Sequence, residues 1–99
     1  MAEVFRDMAS DVEYFDWLES NPEGFVVNTD KAMLRAPYPI LHGAICQHIS
    51  DRSTPNYTTK ESEWFKVCSS SRVEIEVRVR EIDPRRLVLC KTCQRRGLV

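Results

Sequence analysis

His42-Gly43-Ala44-Ile45-Cys46 and Cys90-Lys91-Thr92-Cys93 are the two short clusters of soft metal ligands in the chain. Two residues between cysteines let a tight turn aim both sulfurs at one tetrahedral centre, and a His-x3-Cys segment does the same from a helical turn or a strand end. Together, His42, Cys46, Cys90 and Cys93 would supply three thiolates and one imidazole, the donor set of a structural Zn2+ site. Apparent zinc-binding free energies of ~10–16 kcal/mol match or exceed the whole net stability of a small domain, so the metal-free chain is expected to be unfolded or molten. Cys68 could replace His42 to make an all-thiolate site, and His48 could replace it if the local turn differs. The plainer readings are that Cys68 is a small buried apolar residue beside Trp64 and Val67, and that His48 is a surface histidine.

Dithiol redox chemistry is a competing use of Cys90-x2-Cys93, since Lys91, Arg95 and Arg96 would lower a thiol pKa. Redox motifs of that kind open a helix inside a βαβ unit, whereas here the pair comes last in the chain. No local pattern supplies the orienting third group that Cys/His nucleophilic catalysis needs, and three glycines form no phosphate loop. Recognition is therefore expected more than enzymatic turnover.

The elements that must hold these ligands read as a small α+β domain. Ser10-Asp11-Val12-Glu13 matches a capping box, after which Val12, Phe15 and Leu18, widened by Tyr14 and Trp17, recur at helical spacing with acids on the other face. Asn21-Pro22-Glu23-Gly24 stops that helix, and Phe25-Val26-Val27-Asn28 follows as a short strand. Residues 29–37 read as an irregular connection, and the extended Tyr38-Pro39-Ile40-Leu41 delivers His42 to a strand end. Residues 50–60 have loop chemistry, and Glu63 to Cys68 reads as another strand. The stretch 71–83 is ambiguous. Val73, Ile75, Val77 and Val79 alternate with charges as in a strand, yet Ser71-Arg72-Val73-Glu74 is a second capping box, and Glu74/Arg78 and Glu76/Arg80 would pair in a helix.

A length of 99 residues makes one domain, 1–99, with 1–9 expected as a flexible N-terminal segment. The start carries acids where a secretory signal would be basic, and no apolar run approaches the ~20 residues of a membrane span, so a cytoplasmic protein without a membrane partner is expected. In a reducing compartment, paired cysteines bind metals more often than they form disulfides. The net charge of -1 hides a split: residues 1–41 carry eight acids against three bases, and residues 42–99 seven acids against eleven bases. Arg85, Arg86, Lys91, Arg95 and Arg96 crowd the second ligand pair and could contact phosphates, with Tyr57 and Trp64 as stacking surfaces. The alternative for Trp64, which we prefer, is the core.

The order Tyr14-Phe15-Asp16-Trp17-Leu18, Asn21-Pro22-Glu23-Gly24-Phe25-Val26-Val27-Asn28, Leu41-His42-x3-Cys46, Tyr57-Thr58-Thr59, Lys66-Val67-Cys68-Ser69 and Cys90-x2-Cys93 resembles a family of small prokaryotic zinc-binding domains of unassigned activity. That family occurs alone or beside restriction-type nuclease modules, and the likeness spans roughly residues 12–96. More distantly, the two ligand halves are similar to the zinc domain of Ada-type DNA methylphosphotriester repair proteins, where a metal-bound thiolate accepts a methyl group. His42 stands where that pattern has its first cysteine, which weakens the alkyl-acceptor expectation; Cys46 would be the acceptor. The resemblance implies a helix over 71–83. It also implies a zinc-stabilised nucleic-acid-binding accessory or recognition module, with DNA the expected polymer and a link to restriction or defence. The rival is a protein-protein adaptor that docks a partner such as a nuclease subunit through the acidic N-terminal helix.

Overall fold

In a computed structural model, which describes residues 2–53 and 56–99, the chain forms a five-stranded sheet and four helices. The strands are β1 (Glu3–Phe5), β2 (Phe25–Asp30), β3 (Ile40–Gly43), β4 (Trp64–Ser69) and β5 (Val88–Leu89), in sheet order β1-β4-β2-β3-β5. The helices are α1 (Val12–Ser20), α2 (Gln47–Ser50), α3 (Arg72–Ile82) and α4 (Lys91–Arg95). All neighbours are antiparallel except β3 and β5, which run parallel.

Alternation along the strands divides the apolar residues between two faces. Val27, Leu41, Phe65 and Val67 meet Ile75 and Val79 of α3 on one side. Phe5, Val26 and Cys68 meet Tyr14 and Leu18 of α1 and the segments around Cys46 and Cys90 on the other. Tyr14 is fully buried there and donates its hydroxyl to the Ile49 carbonyl at 2.6 Å, joining α1 to α2.

The ambiguous stretch is a helix, as the resemblance implies. Ser71 accepts from the Glu74 amide at 3.2 Å, so the cap forms and prevails over the alternation. Of the four alternating apolar residues, Ile75 and Val79 reach the core, joined at the helix end by Ile82, while Val73 and Val77 are left exposed. The expected ion pairs shift along the chain: Arg72–Glu76 and Arg78–Glu81 form, and Glu74 accepts from Ser69 instead.

Two N-terminal expectations are corrected. Within the 1–9 segment expected to be flexible, residues 3–5 form a strand that pairs with β4 as an edge, and Phe5 is buried. The capping box at Ser10 does not close around Glu13, because the helix is preceded by Asp11, whose carboxylate accepts from the Tyr57 and Thr58 amides and the Thr58 hydroxyl at 2.7–2.9 Å. That side chain ties the 56–59 loop to the start of α1 rather than capping its own helix.

Candidate metal centre

The parallel pairing of β3 with β5 explains why two ligand pairs so far apart in sequence meet. Leu41 lies beside Leu89, and the Cys90 amide donates to the Leu41 carbonyl at 2.9 Å, which sets Cys90 next to His42. Both strands then lead through a cysteine in extended conformation into a short helix. Cys46 (φ -63°, ψ 129°) precedes α2 and Cys90 (φ -60°, ψ 124°) precedes α4. One turn into α4, Cys93 comes back toward β3, where its sulfur accepts from the Gly43 amide at 3.4 Å. Gly97, with φ +71°, turns the chain beyond α4 so that Leu98 lies against Gly43. A Cβ on Gly43 would meet the Leu98 Cβ at 2.9 Å, so only glycine permits this approach.

The ligand atoms of His42, Cys46, Cys90 and Cys93 all lie within 4.8 Å of one another, and all four residues are buried. Four protein donors around one point leave no open position, the arrangement of a structural metal site. The donors suit an ion such as zinc: His42 Nδ1 is sealed from solvent with no hydrogen-bond partner among the described residues, and a cation would be that partner. Burial, reinforced by the nearby His48 and Lys66 charges, holds the His42 pKa at about 4, so its imidazole is neutral and keeps a lone pair for a metal.

The thiols respond unequally. Burial pushes Cys93 up to about 12 and raises Cys46 as well. Burial also opposes ionisation of Cys90, but hydrogen bonds from the Cys93 amide and His48 outweigh it and bring that thiol down to about 7. Three buried thiolates crowded together repel one another, and a divalent cation reverses that balance by pairing with all of them.

Of the two alternatives to His42, neither joins the quartet. Cys68 shares the sheet face with His42 but lies two strands away, with Val26 between them in the pairing. It is fully buried beneath α1, and desolvation raises its pKa far above that of an ordinary thiol. His48 is exposed, with Nδ1 4.0 Å from the Cys90 sulfur and its ring 6.4 Å from that of His42.

The basic residues separate into two kinds. Arg86, Lys91, Arg95 and Arg96 are exposed, and three of them belong to α4 or its cap. Arg85 is turned inward, contrary to its expected place among phosphate contacts. Its guanidinium donates to Asp30 at 2.6 Å, to Asp83 at 2.8 Å and to the Arg35 carbonyl at 2.9 Å, and both carboxylates are almost fully buried. Burial alone would raise the Asp30 pKa, yet Arg85 and the Leu34 and Arg35 amides hold it at about 2. The short-range signal that could have revealed this is Asp83-Pro84-Arg85, an acid placed to pair with a base two residues on.

The aromatic residues are engaged within the protein, as preferred for Trp64 and contrary to the stacking role considered for Tyr57. Tyr57 packs on Tyr14 and Phe15, and Trp64 lies between Tyr38 and the Arg35 guanidinium, so neither is a free stacking surface. Helix α1 turns its aromatic face into the core and leaves Glu13, Asp16 and Glu19 outside. Cys46, the expected alkyl acceptor, is 1% exposed, whereas Cys90 lines a cavity.

One residue escaped notice. Lys66 stands in the apolar run Phe65-Lys66-Val67-Cys68 and is 1% exposed, its ammonium donating to the Tyr57 carbonyl at 3.0 Å beneath the Tyr14 and Tyr57 rings. A lysine on the inner face of a central strand was the available clue. Among the described residues no helix is long and apolar enough to cross a membrane. Comparison with family models, with curated proteins and with solved structures finds no match, so the chemistry of the site is read from its own residues.

Proposed function

We propose that the chain is a zinc-stabilised nucleic-acid-binding module whose metal is structural and whose contact surface is the exposed basic edge around α4. The observation that carries this reading is that the segment held by the metal is uniformly basic. Residues 84–99 contain no acid, and Arg86, Lys91, Arg95 and Arg96 are exposed on or next to the helix that follows Cys90. A rigid cluster of like charges has few structural uses, and a polyanion is its natural counterpart. Zinc is the ion proposed because a buried three-thiolate, one-imidazole set with no open position suits it best. The resemblance to domains that stand beside nucleases makes an accessory role in restriction or defence the setting in which such a module would work, in the cytoplasm and on DNA.

Binding to random-sequence DNA across a salt series tests the reading. Four phosphate contacts give a slope of log K against log salt of about -3.6 on duplex and about -2.8 on single strands. Changing Arg86, Lys91, Arg95 and Arg96 to Ala should flatten that slope without altering metal content. Absence of binding at low salt would refute the proposal and favour a protein partner for the acidic side of α1.

A further inference from the structure

Beside the metal ligands the sheet face opens into a cavity of about 450 Å3, within the ~300–1,000 Å3 typical of small-molecule sites. Asn28, Ile40 and Val88 all line it, and the strand register sets them side by side across β2, β3 and β5. His42 and Cys90 border the same space, so the cavity adjoins the quartet.

Three features of its lining define the ligand. The surface is chiefly apolar and includes the half-buried Tyr38, whose ring meets Trp64 at a tilt of 58° and also borders the cavity, which suits a flat hydrophobic body. Half-buried Asn28 adds a carboxamide to the lining; its Oδ1 is sealed from solvent with no hydrogen-bond partner among the described residues, so the amide must rotate to bring that acceptor to a ligand. A carboxamide presents an acceptor and a donor side by side, and rotation about its last bond decides which faces inward. Lys91, exposed at the start of α4, adds a cation to the lining. A hydrocarbon would leave the amide unanswered, and a sugar would leave the apolar walls unmatched. A planar heterocycle with a hydrogen-bonding edge and an attached anion answers all three.

We propose that this cavity binds a nucleobase carrying a phosphate, with the Asn28 carboxamide on the base edge, Tyr38 against its face and Lys91 on the phosphate. The base belongs to an unpaired position in a strand or to a free nucleotide, and in the first case the inference builds on the nucleic-acid reading above by naming what the strand inserts.

The test compares three probes on the full chain as purified: a short single-stranded oligonucleotide, its abasic counterpart of equal charge, and the four nucleoside monophosphates. Loss of the bases should weaken strand binding roughly 5- to 150-fold, the range that stacking of a base supplies. Asn28→Leu and Tyr38→Ala should bring the base-containing strand down to the abasic level while leaving abasic binding unchanged. That invariance also shows that the variants are folded, and wild-type probe discrimination stands without them. Monophosphate binding that competes with the strand, or that occurs in its absence, supports the cavity and identifies a free nucleotide as a ligand. Equal affinity for the abasic and base-containing strands, with no monophosphate binding, overturns the cavity proposal and leaves the phosphate-contact reading intact. Absence of binding by all three overturns both.

Discussion

Stripping the metal should release the C-terminal segment from the sheet and lower the melting temperature by tens of degrees. Only Val88 and Leu89 of β5 pair with the sheet, and α4 has five residues, far below the ~12–15 at which an isolated helix is even marginal in water. Cys90 and Cys93 therefore supplement the apolar contacts of Leu87, Leu89, Leu98 and Val99 in holding the segment beyond residue 87, and through His42 and Cys46 a bound ion would also fix the end of β3. With free Zn2+ a thousandfold above its dissociation constant, mass action stabilises the folded chain by about 4 kcal/mol. In a domain of this size each kcal/mol moves the midpoint by ~4–8 °C, so chelation should cost roughly 16–32 °C. Calorimetry of loaded and chelated samples under reducing conditions measures this. Amide exchange at Val88 and Cys90, whose N–H groups donate to the Pro39 and Leu41 carbonyls at 2.9 Å, should accelerate on chelation. Cys93→Ser should behave like the chelated protein, whereas Cys68→Ala should keep its metal and lose only the stability of a small core truncation. An unchanged melting temperature without metal, or loss of the metal on changing Cys68, would refute the assignment of the quartet as the fold's clamp.

Three further outcomes follow from the charged interior. Arg85→Ala should destabilise by about 3–5 kcal/mol in chemical denaturation, because it strands the buried Asp30 and Asp83 carboxylates, and should do so in a protein whose exposed basic edge is intact. Asp30, held at about 2 against an ordinary 3.8, contributes about 2–3 kcal/mol that is complete above pH 4 and lost as the pH falls toward 2, so Asp30→Asn should flatten that part of a stability-pH profile. Burial, the dominant effect on Lys66, lowers its pKa from 10.5 to about 8; the unfolded chain then holds the proton longer, and the folded state should gain about 3 kcal/mol as the pH rises from below 8 to above 10.5. Lys66→Met should abolish that alkaline gain in paired denaturation series, and a parallel rise in both proteins would refute the assignment.

The ligand set was legible in sequence because Cys-x2-Cys and His-x3-Cys are short-range geometry: their spacing alone determines whether a turn can aim both donors at one ion. The caps, breakers and apolar stripes that define α1, β2, β4 and the start of α3 are similarly local, though Asp11 shows that a cap-forming side chain can be captured by a loop distant in sequence. Which residues share a face, and which lie across it, depends on the assembled sheet. Val26 separates Cys68 from His42, Asp30 and Asp83 draw Arg85 inward from a basic run, and Asn28 faces a cavity shared with β3 and β5. Those outcomes depend on strand order and register, which are set by contacts between residues far apart in the chain, and no window of neighbouring residues contains them.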